Sequence, residues 1–359
     1  MDLVDRRVTR SSSPKTLTHL GKALRGLAAE LSHGWADSSV VFLSVGLLAC
    51  HDLDEEKMTA MYGTSPLQFV PLVHLSENMR VLLQLGYNDV HVQAKGRIVN
   101  QIGGLEKISI PGLGDIAAYL ELANSSKLYQ LPRYENFWHA ERLANLTKLG
   151  PGLLGKPLAS GGAGRGFFLH AQQGLTPRSL SILMQLSAVN ERLKHETVQN
   201  AETAPEPDPH LLRLLHKLQH QLLSLPNWDD LDSREQKASV RHVYDCVRLA
   251  AVIYSNAVLL ALPHHTGWHT ALSHRLRDLI DLNDWRDDMT MYPVLPWVLT
   301  VGGIAAYRSQ DRVFYEETLT ELLQIMDSPS WKAVERTLGG FLWSRQACKH
   351  GAAMLWQGL

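Results

Sequence analysis

Cysteine is scarce in this chain: three in 359 residues, Cys50, Cys246 and Cys348, far apart and with no C-x-x-C pair. That spacing excludes a disulfide framework and a clustered zinc site, and it points to an intracellular, reduced protein and not a secreted one. Net charge is missing too. Thirty-five basic residues face 36 acidic ones, so no global field draws the chain to nucleic acid or to an anionic membrane. The local exception is the start, where Arg6, Arg7, Arg10, Lys15, Lys22 and Arg25 face two acids. Long hydrophobic runs are also lacking. The longest imitation of a signal, "SSVVFLSVGLLAC" at 38–50, begins too deep in the chain for a leader. It is also too short to span a bilayer, so a buried core helix is expected there and no membrane partner.

Strand-like alternation is nearly absent, and what fills the chain instead is helical periodicity. Leu17, Leu20, Leu24, Leu27 and Leu31 recur at three- and four-residue steps, as do Leu180, Leu183, Leu186 and Leu193, and Leu211, Leu214, Leu215, Leu218 and Leu222. "QKASVRHVYDCVRLAAVIYSNAVLLALP" is apolar nearly all round, the mark of a helix at the centre of a helical protein. Thr176 before Pro177 predicts an N-cap followed by a first-turn proline, and Asp232 or Ser233 can cap the next long helix. The one weak strand candidate is 89–102, where a hairpin competes with a short helix. The expectation is an all-α, multi-helix array with long loops. A disordered basic tail over 1–15 precedes a single large helical domain over 16–359, with mobile loops at about 150–166 and 197–210.

Catalytic and cofactor signatures are sparse. "GPGLLGKPLASGGAGRG" (150–166) opens like a phosphate-binding loop, but Pro157 stands where the magnesium-binding hydroxyl belongs, and the preceding segment is helical by period. It reads as a flexible connection, with Lys156 and Arg165 as lid residues. The acidic run at 281–288 lacks a second magnesium motif and reads as a solvated turn. His51 and Asp52 stand alone, and no nucleophile elbow is present. No cofactor and no metal are expected. The densest polar and aromatic crowding is "LPHHTGWHTALSHRL" with its neighbours. His265 and His269 would share a helical face but lack a third protein ligand, and His274 would point away. Should the chain be an enzyme, its pocket is sought among His264, His265, His269, Tyr254, Trp268 and Trp297, because imidazole serves as a hydrogen-bond partner or general base near neutral pH.

The last third carries a pattern of its own. Trp297, Gly302, Ala305, Arg312, Phe314, Trp331, Leu338, Phe341, Leu342 and Trp343 follow in an order that resembles the closing region of the fungal-specific transcription factor domain. "CVRLAAVIYSNAVLL" (246–260) looks like that family's central Cys-Arg-Leu-Ala helix, and "ALRGLAAELS" with "VFLSVGLLACHDL" is similar to its opening helix pair. The resemblance implies an all-helical regulatory domain, usually placed behind a zinc cluster of six cysteines that reads DNA. This sequence starts at Met1 without such a cluster, so direct DNA binding by this chain alone is not expected. Two functions from different classes stay open. One is a regulator, nuclear, that senses a small apolar molecule, with a second copy of the chain as a candidate partner. The other is a cytoplasmic, cofactor-independent isomerase or cyclase acting on an apolar natural product of fungal secondary metabolism.

Overall fold

In a computed structural model the described residues are 38–49, 69–73, 89–134, 164–171, 174–199, 209–231, 238–263, 267–282, 285–286, 290–327 and 330–359, with Thr18, Lys22, Arg25, Gly26, Ala29 and Leu83. Among them every regular element is helical and no strand occurs, so the protein is all-α. The basic tail over 1–15, the candidate caps Asp232 and Ser233, and the loop residues 150–163 and 200–208 lie outside the described residues. Contacts divide the chain into two units, residues 1–64 with 81–120, and residues 65–80 with 121–359.

In the first unit, helix α1 (Ser38–Ala49) packs against α2 (Asp89–Ile102). The signal-like run is α1, and Val41, Phe42 and Val45 are buried on it. No helix among the described residues is long and apolar enough to cross a membrane. The ambiguous segment 89–102 resolves as helix α2: Ile98 and Val99 are buried as neighbours while Arg97, Asn100 and Gln101 face solvent. Two adjacent buried positions suit a helix and contradict the alternation of a hairpin strand. The Ser39 hydroxyl accepts from the Ser109 backbone N–H at 2.9 Å and from its hydroxyl at 3.0 Å, fixing the chain after α2. Helix α3 (Leu113–Leu128) begins in this unit, and its residues from Glu121 onward belong to the second.

The second unit is assembled around two helices that meet almost no water. Helix α6 (Ala238–Tyr254) runs on into a π-helical segment, Ser255–Leu259, and every residue from 246 to 260 is buried. Helix α8 (Leu295–Ala305) is buried at every position. Around them pack α4 (Pro177–Gln199), α5 (Pro209–Leu223), α7 (Trp268–Asp281), α9 (Arg312–Ile325), α10 (Trp331–Leu338) and α11 (Arg345–Trp356). An extended piece at 69–73 lies across this core, donating from Val70 N–H to Ala347 O at 2.7 Å and from Leu72 N–H to Val258 O at 2.9 Å. The second bond satisfies a carbonyl freed where the π segment ends the helix.

The expected start of α4 is present. The Thr176 hydroxyl accepts from the Ser179 N–H at 3.1 Å with Pro177 as first helical residue, which satisfies a donor the helix itself leaves open. Thr176→Ala is expected to lower stability by about 1 kcal/mol in urea denaturation, and Thr176→Asp to retain it. The tail of the glycine-rich run is packed. Gly164 is buried at φ +77°, against Met184 and Ser187 of α4, and Gly166 N–H donates to Gly340 O at 2.7 Å. A Cβ on Gly166 would meet the Phe341 ring at 2.6 Å, so only glycine fits this crossing. The short 3-10 helix that follows, Arg165–His170, buries Phe167 and leaves Arg165 exposed; Lys156 lies outside the described residues.

Candidate functional site

The structure brings the sequence candidates together as two pairs. Tyr254 closes α6 and donates its phenol to Asn190 Oδ1 at 2.8 Å, while Asn190 Nδ2 donates to Trp343 O at 3.1 Å. Trp297 donates its indole N–H to Leu342 O at 2.8 Å, meets Phe167 edge to face at 5.3 Å and stacks with Phe341 at 5.9 Å. Both therefore hold the turn at 341–344 onto the core, and neither side chain reaches solvent. Burial raises the Tyr254 phenol well above its ordinary range, so it stays protonated and serves as a donor. The second pair opens α7 after Gly267, whose φ is +76°. Trp268 is buried and donates to Pro263 O at 3.0 Å, with the His269 ring at 5.8 Å. His264 and His265 lie outside the described residues.

His274 faces a different element. Its Nδ1 lies 3.0 Å and 3.2 Å from the two carboxylate oxygens of Asp311, which also accepts from Arg277. Asp311 is itself buried, so this is an ion-pair clasp between α7 and the start of α9. Among the described residues no group of three or more His, Cys, Asp or Glu side chains could hold a metal ion. Burial pushes the thiols of Cys246 and Cys348 up, which removes them as nucleophiles. In the acidic run, Trp285 is buried and Arg286 forms a two-armed pair with Glu321 at 2.5 Å.

Sequence reasoning missed the most unusual polar group in the core. Ser126 of α3, Gln219 of α5 and Asn256 of the π segment are fully buried and bonded to one another across 130 residues of chain. Gln219 Nε2 donates to Ser126 Oγ at 2.6 Å and to Asn256 Oδ1 at 3.3 Å. Asn256 Oδ1 also accepts from the Ser126 hydroxyl, and Asn256 Nδ2 donates to Ser126 O at 3.2 Å. Two buried atoms here find no partner, Gln219 Oε1 and the hydroxyl of the adjacent Ser255. The available signal was a lone amide in each of two apolar helical faces, beside Leu218 and Leu222 and within "IYSNAVLL"; buried amides need partners, and π segments recur at functional positions.

Comparison with known proteins gives one positive finding: the model of a family described as fungal specific transcription factor domain matches residues 6–338. No curated protein and no solved structure matches the chain.

Proposed function

Since the chain belongs to the fungal-specific transcription factor domain family, we propose that it is a regulatory domain, nuclear in location, that senses a small and largely apolar molecule. The family supports the regulatory role. The observation that favours a sensor over a catalyst is the fate of the described candidates. Tyr254, Trp268 and Trp297 have spent their polar atoms on carbonyls and an amide inside the core, and both described thiols are held protonated. General acid–base or nucleophilic chemistry needs an activated group within reach of a substrate, so the isomerase or cyclase reading draws no support from these residues. With three cysteines, the sequence cannot itself contain the six-cysteine cluster that the resemblance associates with DNA reading. In this proposal DNA is read by another segment or polypeptide.

The test is to fuse the full chain to an unrelated DNA-binding module and follow a reporter in a fungal cell. A severalfold change in transcription relative to the module alone is the expected outcome. A reporter indifferent to the fusion, with the fusion protein present in the nucleus, would sink the proposal.

A further inference from the structure

The last two helices carry charge of one sign. Over 330–359 the chain has four cations, Lys332, Arg336, Arg345 and Lys349, and a single acidic side chain, Glu335, although its total charge is close to zero. All four cations are exposed, and the acid is taken up by Arg345, whose Nε lies 3.1 Å from Glu335 Oε1. That contact sets α10 beside α11, and the Trp331 and Trp356 rings meet at 5.6 Å further along. Arg345, Lys349 and Trp356 follow at helical spacing, so they share the face of α11 that is turned to α10. On α10, Lys332 and Arg336 are one turn apart, opposite the buried Val334 and Leu338. The seam between the two helices is therefore lined with cations. At the far end of α11, Glu316 comes beside Gly358 but is engaged by Arg312 at 2.7 Å.

An apolar end adjoins this seam. Gly166 N–H donates to Gly340 O at 2.7 Å, which sets the 3-10 helix Arg165–His170 against the turn that ends α10. With three residues per turn, Arg165 and Phe168 fall on one side of that short helix, while Phe167 turns inward onto Trp297 and Phe341. Phe168 is 54% exposed and Leu169 62%. Among the described residues Arg165, Lys332, Arg336 and Lys349 form no ion pair. We propose that α10, α11 and this short helix form a docking surface for an acidic segment of a partner protein, one that carries leucine or phenylalanine beside its carboxylates. Charge complementarity selects the acid: a single exposed ion pair is weak, but several cations along one seam steer an anionic chain and fix its register. Phe168 and Leu169 select the apolar side chains, which would cover them at the end of the seam. Single-stranded nucleic acid fits less well, because Leu169, the more exposed of the two, offers no ring on which a base could stack. The surface lies outside the buried core, so it is independent of the molecule the domain senses.

The probes are a labelled peptide of about twelve residues that intersperses Asp and Glu with Phe and Leu, a version with the acids changed to Asn and Gln, a version with Phe and Leu changed to Ser, and an oligothymidylate of matching charge. In fluorescence anisotropy with the full chain at low salt, the acidic apolar peptide should bind about tenfold more tightly than any of the others, and it should lose affinity as salt rises. Lys332→Glu with Arg336→Glu should weaken it about tenfold, mainly by slowing association, and Phe168→Ser should weaken it mainly by speeding dissociation. Lys349→Glu, made separately, should weaken it as well. These side chains are exposed, so the urea midpoint should stay that of the wild type, which separates lost binding from lost fold. No binding of the acidic peptide, equal binding of the neutral or the serine version, or an unchanged affinity in every variant that folds would overturn the proposal. Tighter binding of the oligothymidylate would overturn it in favour of a nucleic-acid surface. A chain that drives the reporter yet ignores the peptide overturns this surface and leaves the regulator. A chain that binds the peptide as expected yet leaves the reporter unmoved does the reverse.

Discussion

Gly302→Ala is expected to destabilise the second unit by about 2–3 kcal/mol, read as a lower urea midpoint with an unchanged slope. The expectation runs against local propensity. Gly302 is interior to α8, and there alanine would ordinarily gain about 1 kcal/mol over glycine. The added methyl, however, would stand 2.6 Å from Tyr315 Cζ and 2.8 Å from its hydroxyl oxygen, roughly 1 Å inside the contact distance of carbon atoms. Tyr315 cannot step back: its ring is fully buried and its hydroxyl donates to Ser273 O at 2.6 Å. Overpacking at or above the usual ~3 kcal/mol therefore outweighs the helical gain. The check is a double-mutant cycle with Tyr315→Leu, which makes room for the methyl. The double variant should be less destabilised than the sum of the two single variants, by about 1 kcal/mol or more. Additive losses would show that the α8–α9 contact is not the cause.

That contact shows which parts of the molecule were legible in the sequence. Burial of a helical face leaves a periodic trace, so the leucine ladders of α4 and α5, the cap at Thr176 and the all-round apolar character of α6 could be read directly. Contacts between helices leave no period. Gly302 was visible as part of a family pattern, but its reason, the Tyr315 ring lying against α8, depends on two helices brought together by the fold. The amide group is harder still: Ser126, Gln219 and Asn256 come from three elements, and each alone looks like an ordinary polar residue on a helix. Crowding in sequence likewise leaves the bonding partners unread. Tyr254 and Trp297 were singled out because polar aromatic residues gather nearby in the chain, yet their hydrogen bonds run to Asn190 and Leu342. The glycine-rich run shows the opposite case, since its composition speaks of freedom while Gly164 and Gly166 are held against α4 and Phe341.

Arg248→Met is expected to cost more, about 4 kcal/mol, and the reason lies at a helix end. Arg248 is buried inside α6, in the segment that resembles the family's central helix. Its guanidinium donates to Leu223 O at 2.9 Å, Pro226 O at 3.3 Å and Leu222 O at 3.4 Å, and it lies over the Tyr129 ring at 5.0 Å. Leu222 and Leu223 are the last residues of α5, whose carbonyls have no partner within the helix. A cation at that end is also favoured by the helix dipole. Methionine fills the space but donates nothing, and each buried carbonyl left unpaired costs about 1–3 kcal/mol. Lysine keeps the charge, yet its single ammonium cannot reach three carbonyls spread over five residues and stack on a ring as well. Arg248→Lys should therefore recover no more than about half of the loss. Urea denaturation supplies the energies, and hydrogen exchange supplies the location, because the amides near the end of α5 should lose protection first. A wild-type midpoint for Arg248→Lys would mean that charge alone holds the end of α5. A loss under about 0.5 kcal/mol for Arg248→Met would remove the structural role altogether.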